Sequence, residues 1–107
     1  MSELRSMYQE AFDAFARGEY ETAVSGFERV IAHDPKFALA YQGLAETHAK
    51  KGDLDSAVDA IRKAIECEAD EPLYRTSLSR FYQMQGRIPE AEEEAAAAAR
   101  IQSGVKL

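Results

Sequence analysis

A chain of 107 residues, 46% apolar and 30% charged, is one domain's worth of folded polypeptide with a modest core, and its composition is not that of a disordered tail. Its formal charge of −6, from 13 Lys and Arg against 19 Asp and Glu, has the wrong sign for a phosphate backbone, so nucleic acid is not an expected partner. No stretch approaches the roughly 20 apolar residues that cross a bilayer, and the single cysteine, Cys67, supports neither an internal disulfide nor a zinc framework.

The N-terminus, MSELRSMYQE, lacks the continuous apolar run of a signal peptide, so no membrane association and a cytoplasmic location are expected. The apolar spacing then predicts six helices, in order. The first spans about residues 3–17; Leu4, Met7, Ala11 and Ala14 form an inward stripe, and Tyr8, Phe12 and Phe15 form a second beside it. RGEYETA follows, where Gly18 ends the helix and turns the chain. Helix two, about 20–33, carries Ala23, Phe27, Val30 and Ile31 at helical steps and stops in HDPKF, because Pro35 disfavours α geometry at Asp34 and has no N–H. Helix three, about 37–51, holds Tyr41, Leu44 and Ala45 and ends at KGDLDSA, where Gly52 does what Gly18 did. Helix four, about 54–67, repeats the stripe as Ala57, Ile61, Ala64 and Ile65. Pro72 and Pro89 open helix five, about 71–85, and helix six, about 88–103; proline is welcome in a first turn. In helix six, Glu92, Glu93 and Glu94 read as a solvated start favoured by the helix dipole, followed by an alanine run that holds the helix at low cost.

These helices come in copies. Gly18, Gly52 and Gly86 recur at equal steps of about 34 residues, a period that marks a repeat of paired helices. Ala23, Ala57 and Ala91 follow in phase, and Tyr20, Leu54 and Ile88 lie between. Ala11, Ala45 and Ser79 share one register, as do Phe27, Ile61 and Ala95. With this period, these glycine and alanine pairs and the Asp34-Pro35 close of unit one, the chain resembles the tetratricopeptide repeat family. It departs from the family pattern at Glu10, at Glu68-Ala69 and at Arg75. The resemblance implies an all-α, right-handed α-solenoid of antiparallel helix pairs: one domain over 1–107, with repeats at about 4–37, 38–71 and 72–105. Small alanines let the paired helices approach closely, and each pair relies on its neighbours for burial. Members of the family often add a polar capping helix. Here little follows Ile101 before the final SGVKL, so Leu78 and Tyr82 are expected to stay partly open, with weak self-association there.

The family generally holds a peptide or partner helix in a concave groove lined by the first helix of each repeat. The resemblance therefore implies a protein or peptide ligand, no cofactor and no enzymatic activity. In this register the groove candidates are Arg5, Tyr8, Phe12 and Phe15, then Leu39, Gln42, Glu46 and Lys50, then Leu73, Thr76, Arg80 and Gln83. Phe15 is expected to pack against the second helix, while Tyr8 and Phe12 fall between groove and core. Chaperone-binding members grip two carboxylates with lysine, asparagine and arginine side chains. The corresponding places hold Tyr8, Phe12, Gly43, Leu73 and Ser77, so no such clamp is expected. His33 and His48 are off the i, i+4 spacing of a helical metal site, and Glu66 and Glu68 beside Cys67 disfavour its thiolate. Two function classes remain: an adaptor or scaffold binding a peptide in the groove, and a structural protein that self-associates through uncapped ends.

Overall fold

The computed structural model describes residues 2–104, all of whose regular elements are helices. They are α1 (Ser2–Ala16), α2 (Tyr20–His33), α3 (Ala38–Lys50), α4 (Leu54–Cys67), α5 (Pro72–Met84) and α6 (Ile88–Gln102). Each agrees with its expected span to within about one residue at either end. The chain is an α-solenoid: α1 packs on α2, α3 on α4 and α5 on α6, while α2 meets α3 and α4 meets α5 to join the pairs.

The three turns within pairs are built alike. Gly18, Gly52 and Gly86 have φ of 81°, 87° and 77°, the left-handed conformation that an L side chain resists. The N–H just after each glycine reaches back to a carbonyl of the helix before it: Glu19 to Ala14 (2.9 Å), Asp53 to His48 (2.9 Å) and Arg87 to Tyr82 (2.8 Å). These bonds satisfy carbonyls that the helix end leaves free. A Cβ on Gly52 would meet nothing within 4 Å, so conformation alone resists a side chain there. Gly52→Ala is expected to lower stability by about 1–2 kcal/mol; thermal unfolding checks it, and an unchanged midpoint would refute the backbone account.

The joints between pairs show what proline contributes. Asp34, before Pro35, leaves α2 with φ −143° and ψ 91°. Glu68, before Ala69, leaves α4 with φ −142° and ψ 81°. The same exit forms without proline, because the Glu68 N–H still closes the helix on the Ala64 carbonyl at 2.9 Å. New helices then start on acidic caps: Asp53 Oδ1 accepts from the Ser56 N–H at 3.1 Å and Glu71 Oε2 from the Leu73 N–H at 3.1 Å.

Two apolar clusters form the core. One gathers Ala11, Ala14, Ala23, Phe27, Val30 and Ala40; the other includes Tyr41, Ile61, Tyr74, Leu78, Phe81, Tyr82 and the alanines around them. Ile31 and Leu44 pack against both clusters and make the core continuous. Two glycines inside helices, unlike those in the turns, are packing sites. A Cβ on Gly26 would stand 2.7 Å from Ala11 Cβ, which sets the close approach of α1 and α2. A Cβ on Gly43 would run into the far edge of the Phe27 ring, so α3 offers a socket and α2 the knob that fills it. One repeat on, the equivalent pair is Ile61 and Ser77. A shorter apolar side chain there leaves room for a hydroxymethyl group.

The expectation that Leu78 and Tyr82 stay partly open is corrected: each is 2% exposed. Leu78 lies in the core cluster with α4 residues and Ala91. Tyr82 is covered by two cations: the Arg62 guanidinium bonds its hydroxyl, and the Arg87 guanidinium lies over its ring, 4.5 Å from the centroid. The last helix instead exposes Ala95, Ala96, Ala99 and Ile88, alongside the charged Glu92, Glu93 and Arg100.

The departures from the repeat pattern also find their reasons. Arg75 pairs with Glu94 of α6 at 3.1 Å, largely sheltered from solvent, and the buried Ser79 hydroxyl donates to the Ala91 carbonyl at 2.7 Å. Glu10 lies on an exposed polar face of α1 with Ser6, Gln9 and Asp13, where Gln9 donates to Asp13 at 2.9 Å. The residues equivalent to Ser6, Gln9 and Asp13 in α5 are Tyr74, Ser77 and Phe81, all buried against the preceding pair.

Candidate functional site

On the first helix of each pair, one stripe runs at steps of three and four residues: Arg5, Tyr8, Phe12 and Ala16 on α1, Leu39, Gln42, Glu46 and Lys50 on α3, and Leu73, Thr76, Arg80 and Met84 on α5. Such spacing puts four residues on one helical face. Because the pairs repeat at a constant interval, the three stripes form rows, and contacts between rows bring them side by side. Tyr8 of α1 stacks on Phe37, just before α3, with ring centroids 5.5 Å apart. Glu46 of α3 accepts from Arg80 of α5 at 2.6 Å and from the Ser77 hydroxyl at 3.3 Å; Glu46 and Arg80 are the same position in successive repeats.

The two ends of this face differ chemically. The α1 end is aromatic. Tyr8 is half-buried and lies 5.8 Å from Phe27 and 6.3 Å from Phe12, and burial raises its phenol pKa. Phe12 stays exposed, and Phe15, half-buried, lies 6.1 Å from both Phe12 and Tyr20 at the start of α2. The α5 end is mixed: Thr76, Arg80 and Gln83 are exposed beside Leu73 and Met84, and the Arg80 guanidinium lies 4.9 Å from the Phe81 ring centroid. Between them, on α3, Gln42 and Glu46 are half-buried, while Leu39 and Lys50 are exposed. Five large apolar side chains stay open among the described residues, at 44–54% exposure, and four of them lie on this stripe: Phe12, Leu39, Leu73 and Met84.

Of the twelve sequence candidates, ten fall on the stripe. Phe15 and Gln83 are displaced by one position from Ala16 and Met84. Met84 is absent from the candidates, although it sits one repeat after Lys50 and the same register reaches it. Phe37 is absent too, because in the sequence its apolar side chain belongs to a helix boundary and not to a stripe.

Among the described residues no group of three His, Cys, Asp or Glu is placed to hold a metal ion. Burial, then Glu66 and Glu68, pushes the Cys67 thiol pKa up, and its sulfur faces the Pro35 carbonyl at 3.8 Å. His33 turns Nδ1 toward the Arg29 carbonyl at 3.0 Å. His48 is half-buried beside the Gly52 turn. No helix among the described residues is long and apolar enough to cross a membrane.

The tetratricopeptide repeat pattern matches residues 14–80, and a second form of it matches residues 72–100. Among solved structures, MamA is similar at 23% identity and a TM-score of 0.91, over 94% of this chain and 59% of that one; the chain thus spans less than two thirds of MamA. The type III secretion translocator chaperone SycD of Yersinia enterocolitica, in complex with a peptide of the translocator YopD, is 22% identical with a TM-score of 0.90, over 94% of this chain and 77% of that one. The second repeat domain of Spaghetti (RPAP3), bound to the HSP90 peptide SRMEEVD, is 20% identical with a TM-score of 0.86, over 92% and 91%. At these identities the likeness is one of fold. No curated protein matches the chain in sequence.

Proposed function

This chain belongs to the tetratricopeptide repeat family, and on that premise we propose that it is an adaptor or scaffold module that holds a peptide or helix of another protein on the α1–α3–α5 face. The observation that carries the reading is the concentration of exposed Phe12, Leu39, Leu73 and Met84 on one stripe. A folded chain gains by burying such side chains, at about 25 cal/mol per Å², and large apolar side chains left open on one face favour a docked partner. The fold supports the reading, since SycD holds a YopD peptide and RPAP3 an HSP90 peptide. We assign no catalytic role.

The carboxylate clamp is not part of this proposal. Its middle position is Gly43, which is filled from behind by Phe27, and Ser77 is buried against Glu46. The test is quantitative affinity capture with wild type and with Leu39→Asp/Leu73→Asp, whose exposure lets the fold survive. We expect the partners that wild type enriches to be lost by at least about tenfold, the effect of losing roughly 1.4 kcal/mol. Undiminished capture by the folded variant refutes the site.

A second reading, self-association, has one observation in its favour: the exposed Ala95, Ala96, Ala99 and Ile88 on the outer side of α6. Sedimentation velocity over a concentration series decides it, since an unchanging monomer sinks this reading.

A further inference from the structure

We propose that the segment held on the first-helix face is acidic as well as apolar, with carboxylates spaced along it and not gathered at its end. This rests on the docking reading above and specifies its chemistry. The chain carries a formal charge of −6, yet the stripe carries three cations, Arg5, Lys50 and Arg80, against one anion, Glu46. That anion pairs with Arg80, its Oε2 also accepting from the Ser77 hydroxyl, so the two charges offset each other and Arg5 and Lys50 remain as the surplus. Arg5 and Lys50 are exposed and make no ion pair among the described residues. Against the negative charge of the whole chain, a surplus of cations on this stripe favours an acidic segment and steers its approach.

The spacing of the cations decides what kind of acidic segment fits. Arg5 opens the stripe on α1, Lys50 closes it on α3, and Arg80 stands third on α5. They lie on three helices and in three rows, separated by Phe12, Leu39 and Leu73. Arg5 and Lys50, the surplus cations, stand at the first and the fourth position of their stripes, which suits carboxylates spaced along a segment better than a terminal pair. A segment that alternates acidic with large apolar residues meets both kinds of site.

A random peptide library displayed on phage and selected against the full chain tests this. The expected binders combine Asp or Glu with aromatic or large aliphatic residues. Their affinity, measured by fluorescence anisotropy on synthetic peptides, is expected to fall about tenfold in Arg5→Glu/Lys50→Glu and to weaken in high salt. Glu46→Gln frees Arg80 and is expected to raise affinity for the same peptides, a gain that a damaged fold does not produce. Neutral or basic binders that Leu39→Asp still abolishes overturn the charge assignment and leave the docking face standing. Binders indifferent to Leu39→Asp, or a library that yields none, overturn both. Circular dichroism on each variant establishes that it is folded.

Discussion

Replacing Gly43 with alanine is expected to cost about 1–3 kcal/mol of stability, although the same change at an unobstructed helical glycine gains about 1 kcal/mol. The sign turns on Phe27. The new methyl would be placed into the Cζ end of a ring that is 0% exposed, so the ring has no solvent to swing into and the α2–α3 joint must open instead. Phe27→Ala is expected to cost more, about 3–5 kcal/mol, through lost burial and the cavity left behind. The informative experiment is the pair. In a Phe27→Leu background the shorter side chain clears the socket, and Gly43→Ala should become neutral or stabilising, with a coupling of about 0.5–3 kcal/mol in urea unfolding. Additive effects of the two changes would mean that the knob and socket do not act on each other.

Tyr82→Ala is expected to destabilise the last pair by about 3–5 kcal/mol, whereas Tyr82→Phe should cost only about 1 kcal/mol. The ring is nearly sealed, at 2% exposure, and fills the space between α4 and α6 whether or not it carries a hydroxyl. The hydroxyl's partner is the Arg62 guanidinium, whose pKa is raised chiefly by that bond. Arg62 itself is exposed, so water replaces the lost acceptor and the penalty stays small. Amide exchange that quickens across α5 and α6 in Tyr82→Ala, with α1 and α2 unchanged, is the expected signature. A Tyr82→Phe loss as large as that of Tyr82→Ala would assign the stabilisation to the hydrogen bond instead of the ring.

The helices were legible because each is encoded by a stripe and a stop that act locally. Gly18, Gly52 and Gly86 needed only their own backbone freedom to be read correctly. Gly26 and Gly43 were not legible, because their reason lies on another helix: one faces Ala11 and the other Phe27, and no window along the chain holds both partners. Tyr82 was misjudged for a similar reason. Its cover comes from Arg62 on the preceding helix, a charged side chain that apolar periodicity does not count. The candidate face was legible as a register, since one step of the repeat carries each row to the next. Its internal chemistry was not, because the pairing of Glu46 with Arg80 depends on two rotamers meeting across a repeat boundary.

The knob on the second helix shrinks along the chain, from Phe27 to Ile61 to Ala95, while the place that receives it grows from Gly43 to Ser77. Each joint between pairs therefore has its own fit: the Phe27 ring fills the space that a side chain on Gly43 would take, and the shorter Ile61 faces the larger Ser77. Exchanging the two knobs would set a long ring against Ser77 and leave a void over Gly43, so the graded pairing fixes which second helix suits which first helix.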